Sequence, residues 1–520
     1  MGKDIYDIIV IGGGATGAGI VLDASSRGYK VLLLEKYDFA EGTSSRSTKL
    51  VHGGVRYLEK AVKRLDKKQF DLVKEGLYER DTLIANAPHI AGKQALTTPL
   101  YSWFQLPYMY AGLFLYDIIS GKHRIGRSSI VSKQYMLDTY PNIQKKGLKG
   151  GVKYYDGTFN DSRLNIALLQ SARKRGAECK NYKEMKEIIK ENGKAVGVKY
   201  VDTIDKSEGE AFASVIINAT GPCTDVIRRI DDEKSADILE LSTGIHIVLD
   251  KKYLPKPEGI MIPKTEDGRV LFILPWMGKC LVGTTDDSAK LVDRPKVTDA
   301  EIKYILKHLD IYFDLKIDES EVLSSWSGLR PLLKAKEGES TENLVRDFDM
   351  STSNSGVVTV VGGKWTTYRK MAEDTIDYVI SNEKLESKKC ITKNLKVVGS
   401  ENFSDNLTID SIDKDISDHL VSMYGDKAND VLKVQDGQCK KLHDNYSYIE
   451  AEVIYTVRDE FVKRAIDFLV RRSCIALIDR KAAKDMLEKV LELMSIELQW
   501  DNDKIEQERA YTLNLLNNSI

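Results

Sequence analysis

Near the N-terminus, Gly12-Gly13-Gly14-Ala15-Thr16-Gly17 fits G-x-G-x-x-G through Gly12, Gly14 and Gly17. That spacing carries chemistry only where a strand runs into a helix. Residues 8–11 are a run of β-branched side chains, and residues 15–27 have helical spacing, with Ile20 and Ala24 on one side. Lys30-Val31-Leu32-Leu33-Leu34 reads as a second buried strand, closed by the acid Glu35. Gly12 permits the tight turn. Gly14 lets the backbone, with Ala15 and Thr16, approach a diphosphate at the helix N-terminus, where free N–H groups and the dipole favour anions. Gly17 allows the helix to pack closely on the strand, and Glu35 can accept hydrogen bonds from ribose hydroxyls. The chemistry is dinucleotide binding, with NAD or FAD as ligand.

Three later segments favour FAD. Thr43-Ser44-Ser45-Arg46-Ser47-Thr48-Lys49 is dense in hydroxyls suited to diphosphate and ribityl oxygens. Asn218-Ala219-Thr220-Gly221-Pro222 ends a strand with small residues, where the chain can pass close to the adenosine. Gly362-Gly363-Lys364 precedes a second helix whose N-terminus could face the flavin. Contacts from three distant segments suit the longer dinucleotide.

These residues must be held by a framework, and its outline is readable. A helix is expected over 161–176, with Leu164, Leu168 and Ala172 at i, i+4 spacing, and strands over 196–201, 214–218 and 357–361. Residues 240–330 read mostly as strands (244–249, 269–274, 280–283) broken by Pro and Gly turns. A polar stretch at 383–410 reads as a linker, and 449–472 and 482–498 as amphipathic helices. A chain of 520 residues suits about three domains.

Composition narrows the function class. The chain is 42% apolar and 30% charged, with 77 Lys+Arg against 78 Asp+Glu and a net charge of -1. That describes a soluble globular protein without the basic footprint of a nucleic-acid binder. Two or three well-placed cations would still make an anion pocket. The six cysteines form no CxxC pair, so no disulfide framework, Fe–S cluster or other metal site is expected, and a reducing, cytoplasmic compartment fits. Met1–Asp4 leads straight into the first strand, so no targeting segment is expected, and Tyr6 stands where a myristoylation motif needs Ser or Thr. Residues 94–116 carry no charge. Pro99, Pro107 and the aromatic crowd Tyr101, Trp103, Phe104, Tyr108, Tyr110, Phe114 and Tyr116 disfavour a spanning helix, leaving burial or contact with a membrane surface.

The run from Ser44 to Glu59, containing Leu50-Val51-His52-Gly53-Gly54-Val55-Arg56-Tyr57, closely resembles the signature of FAD-dependent glycerol-3-phosphate dehydrogenases. So do Gly362-Gly363-Lys364-Trp365-Thr366-Thr367-Tyr368-Arg369, Pro275-Trp276, Gly283-Thr284-Thr285-Asp286 and Ser327-Gly328-Leu329-Arg330-Pro331-Leu332. In the tail, Glu450-Ala451-Glu452-Val453 and Arg471-Arg472 resemble the family's C-terminal helical domain. Ile245 stands where a Ser is common, and Trp365 where a Leu is common.

The resemblance implies an α/β fold: a Rossmann-like FAD domain of the amino-acid-oxidase type, an inserted, mostly antiparallel β cap and an α-helical C-terminal domain. The expected divisions are 1–95, 150–235 and 355–385 for FAD binding, 96–149 and 236–354 for the cap, and 395–520 for the tail. It implies oxidation of sn-glycerol 3-phosphate to dihydroxyacetone phosphate, with a quinone as acceptor or oxygen in some members, and peripheral membrane contact. A homodimer is left open. Cofactor contacts would fall on Gly12, Gly14, Ala15, Thr16, Gly17, Glu35, Thr43, Ser44, Ser45, Ser47, Lys49, Leu50, His52, Gly53, Ala219, Gly221, Gly363, Lys364, Trp365 and Thr366.

This reaction needs a base for the C2 hydroxyl and cations for the phosphate. Arg330 leads for the phosphate, with Lys364, Arg56 and Arg346 behind it; Arg grips phosphate bidentately and Lys acts as a point charge. Lys364 could instead sit beside the flavin N1–C2=O edge. His246 is favoured as base because a neutral imidazole accepts a proton at physiological pH. His52 is its rival, Asp286 a lesser one, and Thr285 and Asp286 could bind substrate hydroxyls or orient the histidine.

Overall fold

Ile5–Ile11 and Val31–Leu34 pair in parallel, with Ile8 opposite Val31, because both are apolar on both faces and can only be satisfied deep in a covered sheet. The computed structural model describes residues 5–518 except 56–57, 59–65, 264, 267, 335–347 and 383–384. An eight-stranded sheet runs in the order Phe348–Thr352, Val358–Gly362, Glu208–Asn218, Ile5–Ile11, Val31–Leu34, Glu178–Lys180, with the hairpin Lys183–Glu191/Lys194–Asp202 joined through Glu208–Asn218. Helices Ala15–Ser26, Asp161–Arg173 and Tyr368–Asn382 cover one face, burying Ile20, Leu164, Leu168 and Ile376 against Ile8 and Val10. The hairpin and Thr224–Asp231 cover the other.

A ten-stranded sheet holds Leu239–Leu249 at its centre of function. That strand pairs antiparallel with Lys279–Gly283 and with Ser324–Leu333. Helix Asp299–Tyr312 packs on one side, and the C-terminal helices pack on the other around Trp326, Val248 and Leu281. Among the described residues, four strands cross the divisions read from the sequence, Leu50–Val51 and Ala91–Leu100 among them. Gly150–Phe159, grouped there with FAD binding, is hydrogen-bonded to Ala91–Leu100 in this second sheet, and Phe348–Thr352, grouped with the cap, lies in the first. The sequence pattern carries no pairing information.

Two other expectations change. The 449–472 helix is broken: Glu450–Asp459 ends before Phe461, whose φ is +62°, and the chain resumes at Ala465–Asp467 and a π-helical turn at Phe468–Arg472. Residues 385–410 of the expected linker lack long elements but are strapped to the body. Thr392 O accepts a bond from Asn86 Nδ2 at 3.1 Å, Lys388 O one from Arg27 at 3.0 Å, and Val397 is buried. The uncharged run is a strand, Ala91–Leu100, followed by helix Gln105–Ser120, and no helix among the described residues is long and apolar enough to cross a membrane.

Candidate active site

Helix Ala15–Ser26 begins at Gly14, which has no side chain to cap the first amide groups. Ser44 partly fills that role, its Oγ accepting Ala15 N–H at 2.9 Å. Gly12 has φ +103°, and a Cβ on Gly17 would lie 1.8 Å from Gly12 O, so turn and helix start interlock only as glycines. Glu35 closes the second strand with both carboxylate oxygens held, by Gly13 N–H at 2.7 Å and Tyr37 N–H at 3.0 Å. Burial raises its pKa, and those two amides oppose the rise.

This turn opens on a cavity of about 1070 Å³. Its wall includes Gly12, Gly14, Ala15, Thr16, Glu35, Thr43, Ser44, Ser47, Leu50, His52, Ala219, Gly221, Gly363, Lys364, Trp365 and Thr366, drawn from every segment expected to contact a dinucleotide. The volume, the uncapped helix start and the hydroxyl-rich rim fit FAD. The distant segments are stapled together around it. Trp365 Nε1 donates to Ser44 O at 2.9 Å, and Thr366 Oγ1 accepts His52 N–H at 3.3 Å.

Four expected contacts are not on the wall. Gly17 serves helix packing. Ser45 is buried, and its carbonyl accepts Lys49 Nζ at 2.7 Å. Lys49 is itself buried and paired with Asp161 at 2.7 Å, so it braces the hydroxyl loop from behind, and Asp161 also accepts Ser47 Oγ at 2.7 Å. Gly53 N–H donates to Tyr116 OH at 2.8 Å, inside the protein. Arg56 and Arg346 lie outside the described residues.

His246, Arg330 and Asp286 share the same wall. His246 is 2% exposed and stands opposite Trp326, its ring stacked on the indole at 5.4 Å and 20°. Its Nε2 lies 2.9 Å from Thr48 Oγ1. Burial, then Arg330 and Lys49, holds its pKa well below 6.5, so the imidazole is neutral. Arg330 is gripped by Asp286 Oδ1 and Thr284 Oγ1, each at 2.9 Å, and by Thr285 O at 3.0 Å. Glycines clear room for both: a Cβ on Gly283 would meet His246 Cδ2 at 2.2 Å, and one on Gly244 would meet Arg330 NH2 at 2.1 Å.

Thr285 departs from expectation. It is buried and off the wall, its Oγ1 accepting Ile245 N–H at 3.1 Å, so it fixes the strand rather than reaching a ligand. Asp286 orients Arg330 rather than the histidine. Thr48, read only within the hydroxyl run, and Trp326, not singled out at all, reach His246 through contacts between distant segments that no sequence spacing signals.

The fold and this site define an FAD-dependent oxidoreductase. A family model described as FAD dependent oxidoreductase matches residues 7–369, and one described as the C-terminal domain of alpha-glycerophosphate oxidase matches 390–505. The mitochondrial glycerol-3-phosphate dehydrogenase of Mesocricetus auratus is 40% identical, over 97% of this chain and 72% of that protein. The mitochondrial glycerol-3-phosphate dehydrogenase SDP6 of Arabidopsis thaliana is 39% identical, over 97% of this chain and 85% of that one. The crystal structure of the Bacillus halodurans glycerol-3-phosphate dehydrogenase complexed with FAD superposes with a TM-score of 0.80 at 29% identity, covering 99% of this chain and 95% of that chain. The chain belongs to the FAD-dependent glycerol-3-phosphate dehydrogenase family. L-alpha-glycerophosphate oxidase of Mycoplasma pneumoniae, at 16% identity and a TM-score of 0.58 over 76% of this chain and 98% of that one, shares the fold.

Proposed function

We propose that this chain oxidises sn-glycerol 3-phosphate to dihydroxyacetone phosphate and delivers the electrons to a quinone at a membrane surface. One observation carries the reading: the neutral His246 and the cationic Arg330 stand on the wall of the cavity that fits FAD. Similarity to glycerol-3-phosphate dehydrogenases across 97% of the chain supports it.

Bound there, FAD supplies at N5 the acceptor for the hydride leaving C2. His246 takes the hydroxyl proton as C2 becomes a carbonyl, so one hydride and one proton leave the substrate. Arg330, preset by Asp286 and Thr284, grips phosphate oxygens. Lys364, on the Gly362-Gly363 turn and on the same wall, adds a second positive charge, either to the phosphate or beside the flavin N1–C2=O edge. His52 lines the cavity too and is the rival base.

Peripheral attachment is supported by helix Gln105–Ser120 and the turn before it, where Trp103, Phe104, Tyr108, Phe114 and Ile118 are exposed. Between 101 and 150 the sequence holds Lys122, Arg124, Arg127, Lys133, Lys145, Lys146 and Lys149 against Asp117 and Asp138 only. Exposed aromatics in a segment rich in cations suit an anionic bilayer surface. The six free cysteines are consistent with a reducing compartment such as the cytoplasm.

The test is a steady-state assay with sn-glycerol 3-phosphate and a soluble ubiquinone analogue. Equal amounts of dihydroxyacetone phosphate and quinol are expected. Turnover that needs only oxygen and gives catalase-sensitive oxygen uptake would assign oxygen as the acceptor instead.

A further inference from the structure

The Arg471-Arg472 pair in the tail is not used by the reaction, yet it reaches the cofactor loop. Asp38 lies just past Glu35, between the second strand and the hydroxyl-rich segment, and is fully buried. Its Oδ2 accepts Arg471 Nε at 2.5 Å and Arg472 NH1 at 2.6 Å, and its Oδ1 accepts Arg472 NH2 at 2.9 Å and Asn181 Nδ2 at 3.1 Å. Burial pushes this carboxyl up, but Arg472 and Arg471 overcome it and bring it down to about 2. Both arginines come from the π-helical turn Phe468–Arg472. Successive residues of an α-helix diverge by about 100°. The wider turn here sets both guanidinium groups on one carboxylate.

The rest of the loop is tied down as well. Ala40 N–H donates to Gly13 O at 3.2 Å, and Ser44 holds Ala15. Glu41, on the cavity wall, accepts Arg294 Nε at 2.8 Å and lies 3.5 Å from Arg471 NH2. Arg294 in turn donates to Tyr511 OH at 3.0 Å, in the last helix. Arg472 also donates from NH2 and Nε to Glu460 O, at 2.7 and 3.0 Å.

Buried ion pairs are poor sources of stability, since desolvation offsets their attraction and apolar substitutes of the same volume often do as well. What such a network supplies over an apolar contact is direction: it admits a single placement of the groups it joins. Here the joined group is the loop that carries Thr43, Ser44 and Ser47 onto the cavity wall.

We propose that the C-terminal helical region is a clamp for the cofactor loop, with Arg471 and Arg472, through Asp38, as residues that position residues 38–47 to receive the FAD diphosphate. The inference concerns FAD and stands whatever the substrate and acceptor are. The test is a titration of apoprotein with FAD, followed by flavin fluorescence, for full-length wild type, Asp38→Asn and Arg472→Lys, with apoprotein melting and far-UV circular dichroism alongside. We expect the FAD Kd to rise about tenfold or more in both variants, while the KM for glycerol 3-phosphate at saturating FAD stays at the wild-type value. A lower melting temperature with an unchanged Kd would overturn the clamp, because the arginines would then only fasten the tail to the body. Should the buried variants not fold, Arg294→Gln probes the same loop through Glu41 from the rim. A several-fold weaker Kd is expected there, and an unchanged one overturns the proposal.

Discussion

His246 sits between two cations and an indole, and that setting fixes its behaviour with pH. Its folded pKa is depressed by burial, Arg330 and Lys49. The unfolded imidazole takes a proton near 6.5 while the folded one does not, so stability is complete above that value and falls as the pH drops through it. As the proposed base, His246 stays neutral further into acid than a free histidine. The acid limb of kcat/KM is therefore expected below pH 6.5. In Arg330→Met one depressing charge is gone, so the limb should move to higher pH and KM should rise strongly. A limb that does not move would break the electrostatic link between the two residues. Thr48→Val should lower kcat by about tenfold with FAD content and KM unchanged, and Thr48→Ser should restore it, since the hydroxyl at His246 Nε2 holds the ring in place. His246 was legible from its residue type and Arg330 from its motif; Thr48 was read only as one hydroxyl of the cofactor run. The roles of Thr48 and Trp326 at the histidine were not legible, because they arise from contacts across 198 residues and from a strand register.

Elements were legible where a period of two or of 3.6 was strong, as in the opening strand–turn–helix, and were misread where local chemistry interrupts it. Residues 449–472 show helical spacing throughout, yet the chain turns at Phe461 so that Asp467, Arg471 and Arg472 can meet Asp38 and Tyr182. Residues 383–410 look like a linker because their side chains are polar, but their backbone carbonyls are consumed by Arg27, Tyr29 and Asn86. Two predictions belong to this scale. Gly17→Ala drives a methyl into the Gly12 carbonyl, so it should abolish FAD retention and lower stability by a few kcal/mol, measured by flavin content and melting. A Trp103→Ser/Phe104→Ser variant should bind anionic phospholipid vesicles about tenfold more weakly than wild type in flotation. Equal flotation would exclude the Gln105–Ser120 region as the attachment surface.

At the scale of the whole molecule, the near-zero net charge hides an uneven distribution. Basic residues follow the exposed aromatic helix in the sequence, stand at Arg330 and Lys364 on the cavity wall, and are buried as arginines in the tail. The three-part plan was readable in outline. The exchange of strands between its parts was not, because register and pairing depend on contacts among segments far apart in sequence. The two sheets and the tail serve one arrangement: a cofactor cradle built by the first sheet, an imidazole and a guanidinium delivered by the second, and a helical region fastened to the loop between them. That arrangement is tested most directly by adding sn-glycerol 3-phosphate anaerobically to the purified holoprotein and recording the visible spectrum. The account predicts that the oxidised-flavin absorbance bleaches with one equivalent of substrate per FAD and that dihydroxyacetone phosphate appears in equal amount. Oxidised-flavin absorbance that persists at saturating substrate would contradict it.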